Sequence, residues 1–176
     1  MKNLILFFTI CAFQFQFDLK AQETVTEKPK YKHSIGAAAG FTTGYGLSYR
    51  YIPTKFGVQL TFGPYTDERL TQLSSGLTFM YYIFQDQNVN FFLYQGNHYL
   101  YRHSLEYIYF EGPFVEPFPE PELKWITNNR MNNGIGFGFD FNIGSRISWN
   151  ILAGYAAYNN FSRFTLTGET SLYFKL

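Results

Sequence analysis

Between Met131 and Gly144 the chain reads Met-Asn-Asn-Gly-Ile-Gly-Phe-Gly-Phe-Asp-Phe-Asn-Ile-Gly. On an extended strand Ile135, Phe137, Phe139 and Phe141 share one face, and Gly134, Gly136, Gly138, Asp140 and Asn142 share the other. Successive side chains of a strand point to opposite sides, so strict alternation of this length specifies β structure. The polar face carries glycine where a water-facing strand would carry Lys, Glu and Thr. Glycine weakens a strand and marks a place where another group approaches closely. A narrow, filled interior supplies such a reason, because small residues on one wall leave room for long polar side chains from another. The apolar face is then expected to point outward, into lipid.

Composition agrees with that reading. Charged residues make up 15% of the chain, against roughly 25% in an ordinary soluble domain. Aromatic residues reach 22%, with 21 Phe and 15 Tyr, and there are 15 Gly. Few charges with abundant Phe, Tyr and Gly suit strands that face lipid on one side and a confined polar interior on the other. The net charge of +1 excludes the basic excess of a nucleic-acid binder. The length of 176 residues is that of one domain.

The chain begins Met1-Lys2-Asn3 and runs into the apolar stretch Leu4–Phe13, the pattern of a secretory signal peptide. Leu19-Lys20-Ala21 offers a cleavage site before Gln22, so residues 1–21 are read as a leader and 22–30 as a periplasmic lead-in. Cys11, the single cysteine, lies inside the leader without a small-residue lipobox, which leaves the mature chain free of disulfides and cysteine metal sites. No later segment approaches the roughly 20 apolar residues of a membrane helix. An exported chain of this kind crosses a bilayer only as a closed barrel that satisfies every backbone group.

Taken in order, alternation places strands at about 34–41, 45–52, 56–62 and 70–84, a fifth beginning near Val89, and three more after residue 130. Tyr45, Leu47, Tyr49 and Tyr51 are expected outward on the second strand, with Gly46, Ser48 and Arg50 inward. Thr42-Thr43-Gly44 is read as a tight turn, and Gly63–Arg69 as a polar loop. The fifth strand is ambiguous in phase. Placing Val89, Phe91 and Leu93 outward also exposes Gln95 and Asn97, unless a bulge near Gln95-Gly96 switches the faces. The connections at Pro53, Gln85 and Gly144 are short, whereas residues 104–130 form the longest one. With eight strands and a periplasmic start, the short connections fall on the periplasmic side and the longest faces outward. Aromatic residues gather at strand ends: Tyr51, Phe56, Tyr81, Phe141, Trp149 and Phe174 at the inner rim, and Phe41, Tyr45, Phe62, Tyr155 and Phe164 at the outer.

From residue 31 to 176 this architecture resembles the small eight-stranded outer-membrane barrels, the OmpA-like and OmpX-like, porin-family-like proteins. The last strand, with Leu172, Phe174 and Leu176 alternating, is similar to the C-terminal strands of those families, although it finishes in Leu rather than Phe. The resemblance implies recognition by the outer-membrane insertion machinery. The expected fold is all-β, an eight-stranded antiparallel up-and-down transmembrane β-barrel, in the outer membrane of a Gram-negative-type bacterium.

Two groups of residues are candidates for function. Arg50, Gln59, Asp140, Arg146, Glu169 and Lys175 are expected to line the interior, where Arg50 and Arg146 would meet Asp140 and Glu169. Eight strands enclose just enough space for side chains to fill, so this set is read as a salt-bridged plug rather than a selective pore. The acidic, aromatic, proline-rich text of the fifth connection supplies the second group: Glu111, Phe114, Glu116, Phe118, Glu120, Glu122 and Trp125. A membrane strand needs only about 9–11 residues. Residues 89–110 exceed that, which predicts a hairpin standing above the outer surface with a polyproline-like tip. His103-Ser104-Glu106 does not form a hydrolase site by spacing, because Ser104 and Glu106 share a face that His103 does not. His33, His98 and His103 lack metal-ligand spacing.

The reading is a non-enzymatic barrel with no cofactor or metal. Its expected partners are outer-membrane lipids, the insertion machinery and an unknown extracellular partner, not nucleic acid. Two alternatives from other classes remain, a lipid A hydrolase of the outer membrane and an exported soluble barrel that binds lipid.

Overall fold

The computed structural model describes residues 31–108 and 122–176. The expected leader 1–21, the lead-in 22–30, and Glu111, Phe114, Glu116, Phe118 and Glu120 of the surface candidates lie outside the described residues. Eight strands form: β1 (His33–Gly40), β2 (Gly44–Tyr51), β3 (Phe56–Asp67), β4 (Leu70–Gln85), β5 (Val89–Ile108), β6 (Glu122–Ile143), β7 (Ile147–Tyr158) and β8 (Arg163–Lys175). Each pairs antiparallel with the next, and β8 pairs back onto β1 from Ser34↔Lys175 to Ala39↔Thr170, closing the barrel. The circuit from Ile35 through Tyr49, Leu60, Leu77, Asn97, Asn133 and Ala157 ends at Phe164, yet Ile35 itself lies beside Phe174. That stagger is what tilts the strands of a closed barrel.

The alternation read from the sequence sorts the side chains. Leu47 (77% exposed), Phe164 (72%) and Ile135 (66%) lie on the outer wall, whereas Arg50 (1%) and Asn150 (0%) lie inside. The outer wall is largely apolar around the barrel, from Phe56 and Tyr81 through Phe139 and Trp149 to Phe174. A soluble monomer rarely exposes a contiguous apolar patch beyond a few hundred Å². A belt of this extent needs an apolar medium, and closure leaves no unpaired backbone edge within it. Gly138 illustrates the inner wall: a Cβ there would sit 2.5 Å from the Phe92 ring.

The structure corrects the reason expected for the small residues of β6. Their nearest neighbours are an aromatic ring, a turn of the chain and the backbone of β7, not long polar side chains. Phe92 fills the space over Gly138, and Thr42 fills the space over Gly134. Near the end that carries the turns after Tyr51, Gln85 and Ile143, the lumen holds an apolar cluster of Met80, Tyr82, Phe92, Tyr94 and Leu152, with Ile52 against it.

Two other expectations change. Gly63–Asp67 is not a loop but a paired extension of β3, from Gly63↔Ser74 to Asp67↔Leu70. Pro64 is tolerated there because β2 stops pairing at Phe62, which makes this part of β3 an edge. On β5 the ladder runs without a bulge through Gln95↔Ile135 and Gly96↔Gly134. Gln95 and Asn97 therefore face outward with Leu93, and the irregularity lies instead in β4, between Tyr82 and Phe84. The long connection also shortens: β5 and β6 stay paired as far as Ile108↔Glu122.

Candidate functional site

At the outer mouth, the turn between β1 and β2 folds into the barrel instead of standing above it. Thr42 and Thr43 are buried, and three walls hold them. Glu169 of β8 accepts from the Thr42 amide (2.8 Å) and hydroxyl (2.6 Å), from the Thr43 amide (3.1 Å) and hydroxyl (2.5 Å), and from Thr167 Oγ1 (3.0 Å). The Phe41 carbonyl accepts from His98 Nδ1 (2.8 Å) and from Asn132 Nδ2 (3.0 Å). A carbonyl only accepts, so His98 carries its proton on Nδ1. Its Nε2 then faces Ser74 Oγ at 3.0 Å, and Ser74 Oγ in turn accepts from the Tyr45 amide at 3.0 Å.

The turn can enter because the wall facing it lacks side chains. A Cβ on Gly76 would collide with the Thr43 carbonyl, one on Gly96 with the Thr42 carbonyl, and one on Gly134 with the Thr42 side chain. Gly44 and Gly46 adopt φ of +85° and +128°, which let β2 leave the turn. This geometry corrects the expected position of Tyr45. Its ring does not join the outer aromatic rim but is half-buried, edge-on to His98 at 5.4 Å, with its hydroxyl bonded to Gln72.

Deeper, Arg50 and Asp140 form a fully buried ion pair at 3.6 Å. Asn150 bridges them, its amide donating to Asp140 Oδ1 at 2.6 Å and its oxygen accepting from the guanidinium. Gln59 Oε1 accepts from Arg50 at 3.4 Å, and the guanidinium lies 3.7 Å over the Tyr173 ring. A buried charge is tolerable only when paired and hydrogen-bonded, and this one meets an anion, two amides and a π face.

Of the six interior candidates, Arg50, Gln59 and Asp140 come together. Lys175 stands at the rim beside the β6–β7 turn and donates to Asn142 Oδ1 at 2.5 Å. Arg146 is not in the lumen: it is exposed in the β6–β7 turn, 5.9 Å from the Phe174 ring. The reason is that β7 begins only at Ile147, so Arg146 lies beyond the ladder that would aim it inward. Glu169 is buried but meets neither arginine among its hydrogen-bond partners, because it is held at the opposite, outer end by the turn. Sequence reasoning missed Thr42, Thr43, Ser74, His98, Asn132 and Asn150. The legible signal was the glycine at the same level of three successive strands, Gly76, Gly96 and Gly134, whose shared purpose needed the turn to be seen.

Above the belt, β3, β4, β5 and β6 continue as a four-stranded sheet, paired up to Asp67↔Leu70, Leu70↔Ser104 and Ile108↔Glu122. Trp125 is exposed and stacks on His103 at 4.7 Å with 9° between the rings. Glu122, the last surface candidate, is exposed at the top of β6. His103 Nδ1 bonds to Thr127 Oγ1 at 2.9 Å, while Ser104 Oγ donates to Glu106 at 2.7 Å on the other face. No serine–histidine contact forms here. The Ser74–His98 pair is sealed inside the mouth, and its imidazole is committed to the turn.

β6 is the edge of this sheet. Its pairing with β7 begins only at Asn133↔Ala157. Asn160 bonds to Met131 N, Met131 O and Asn129 O. The odd-numbered backbone groups of β6 therefore point away from β5, and along Leu123, Trp125 and Thr127 they form an open row among the described residues.

No family model and no curated protein matches the sequence. Similar solved structures include the N-terminal β-barrel domain of Pseudomonas aeruginosa OprF, at 14% identity, TM-score 0.47, covering 82% of this chain and 95% of that one. Neisserial surface protein A is 12% identical with TM-score 0.46, covering 82% of this chain and 93% of that one. A major outer membrane protein from Thermus thermophilus is 12% identical with TM-score 0.46, covering 84% of this chain and all of that one. Likeness at this distance concerns fold alone. The closed ladder itself makes the chain an eight-stranded up-and-down barrel, the architecture of small outer-membrane proteins.

Proposed function

We propose that this protein is a non-enzymatic outer-membrane barrel that makes contact outside the cell through the sheet rising from β3–β6. The open edge of β6 carries the reading. An exposed strand edge is a template for an added strand, which gains affinity from backbone hydrogen bonds and specificity from the flanking side chains. Here Leu123, Trp125 and Tyr107 are exposed on the same projection and supply apolar anchorage. The buried turn and ion pair belong to the barrel's stability, and the projecting sheet is the part free to meet a partner.

Thr127→Pro tests this. Position 127 directs its N–H to the open side, so proline removes one edge donor and leaves the ladder with β5 intact. Peptides selected from a displayed library on proteoliposomes bearing the barrel should bind wild type and lose at least roughly tenfold affinity to the proline variant. A Glu68→Ala control in the β3–β4 turn should bind as wild type. Failure to enrich any peptide, or equal binding to the proline variant, refutes the edge as the contact.

A further inference from the structure

Above the tucked turn, the inner face of the projecting sheet climbs in rows set by the ladder. Gly76, His98 and Asn132 lie beside the turn; Ser74, Leu100 and Arg130 form the next row, and Gln72, Arg102 and Asn128 the one above. All share the inward phase of His98 and Asn132, which bond to the Phe41 carbonyl. Arg102 and Arg130 are therefore diagonal neighbours on adjacent strands, about 7–8 Å apart and within reach of one object through their long side chains. Both are exposed, and neither forms an ion pair among the described residues.

The carboxylates of this phase stand away from the two arginines. Glu169, below, is engaged by the turn. Asp67 accepts from the Tyr65 hydroxyl at 3.3 Å and from the Arg69 amide at 3.0 Å, at the tip of the β3–β4 hairpin. Glu106 accepts from Ser104 Oγ and lies opposite Lys124, and Glu122 lies opposite Ile108 at the top of the ladder. Across the barrel, β1 and β2 end in the turn, which meets β5 and β6 as low as Gly96 and Gly134. The two arginines look into an open recess floored by that turn.

Like charges on neighbouring strands repel, and a recess lined by one sign of charge draws in the other. We propose that Arg102 and Arg130 bind the phosphate group of a soluble phosphate monoester at the cell surface. Charge selects the ligand. A phosphate monoester carries about two negative charges at neutral pH, which balances two guanidinium groups, whereas a sulfate ester or a carboxylate carries one. Each guanidinium presents a planar fork of donors that fits phosphate oxygens in pairs, and Asn128, directly opposite Arg102, offers an amide donor beside them. Phase selects the source. Lipid headgroups border the outer wall, which is the opposite phase of these strands, while the recess opens to solvent above the turn.

The experiment uses the full-length barrel in zwitterionic nanodiscs, with glucose 6-phosphate as the probe and glucose and glucose 6-sulfate as comparisons. The backbone amide resonances of Arg102, Asn128 and Arg130 should shift saturably with the phosphate, and the sulfate should bind at least roughly tenfold more weakly. Arg102→Gln and Arg130→Gln should each lower affinity for the phosphate roughly tenfold or more. Arg69→Gln, in the β3–β4 turn, should bind as wild type, and heat-modifiable migration on a gel checks that every variant is folded. In nanodiscs doped with phosphatidic acid, the three resonances should stay in place until the sugar phosphate is added. The proposal is overturned by shifts that do not saturate, by equal binding of glucose or of the sulfate, by unchanged affinity in both arginine variants, or by shifts that phosphatidic acid alone produces, which would make the source a lipid headgroup.

Discussion

The turn locked in the barrel mouth yields a sharp quantitative test through Glu169→Gln. Glutamine matches glutamate in size, so packing is conserved and only hydrogen-bond polarity changes. One of its terminal atoms becomes an NH2 group, which can no longer accept. In either orientation of the amide, that group faces the backbone N–H of Thr42 or of Thr43, both of which donate to the carboxylate in the wild type. The adjacent threonine hydroxyl can rotate and accept, but the backbone N–H cannot. A hydrogen bond to a charged group contributes about 1.5–3 kcal/mol, and a buried orphan donor costs about 1–3 kcal/mol. A loss of about 3 kcal/mol in total raises the open population of the turn by roughly two orders of magnitude. Amide hydrogen exchange in nanodiscs reads this directly. The Thr42 and Thr43 amides should exchange roughly 100-fold faster in the variant, while the amides of Ala37 and Tyr49 in the ladder keep their rates. Unchanged protection at Thr42 and Thr43 would refute the claim that Glu169 holds the turn, leaving the glycine-lined recess and the His98 and Asn132 bonds to the Phe41 carbonyl as its restraints.

Three further outcomes follow from the geometry. Asp140→Ala strands a buried guanidinium and should cost about 3–5 kcal/mol, whereas Arg50→Met with Asp140→Leu should come close to wild type, as read from the urea midpoint of the barrel in vesicles. Gly138→Val drives a side chain into the Phe92 ring and should cost about 1–3 kcal/mol; the same measurement should show much of that recovered when Phe92→Leu is added. Phe137→Arg, on the exposed wall beside Leu93, should cost about 2–4 kcal/mol near the bilayer midplane. The same substitution at Thr66, on the β3–β4 extension above the belt, should change the midpoint by less than about 0.5 kcal/mol.

The strand plan was legible because period-two alternation states which side of each strand a residue takes, and a filled lumen inside an apolar belt tolerates no error in that phase. Arg50, Gln59 and Asp140 were found in this way. Arg146 misled because alternation was carried one residue beyond the end of the ladder, into a turn where no sheet aims the side chain. Gln95 and Asn97 resisted assignment because two polar residues on a lipid-facing phase violate the pattern, and the chain keeps the violation rather than bulging to avoid it. Residues 63–67 looked like a loop for a similar reason: glycine, proline and polar side chains signal a turn locally, while pairing across the hairpin overrides that signal.

By itself, the sequence determined the eight strands and, apart from the phase of the fifth and the ends of the ladders, their inner and outer faces, since each depends on local periodicity. Only the tertiary structure decided what fills the lumen. Whether Gly76, Gly96 and Gly134 admit a side chain or a turn depends on which atoms stand across the barrel, and Thr42 is separated from Glu169 by 127 positions in the chain. Contacts across a closed barrel are set by stagger and by the volume left over. Neither quantity belongs to any one strand.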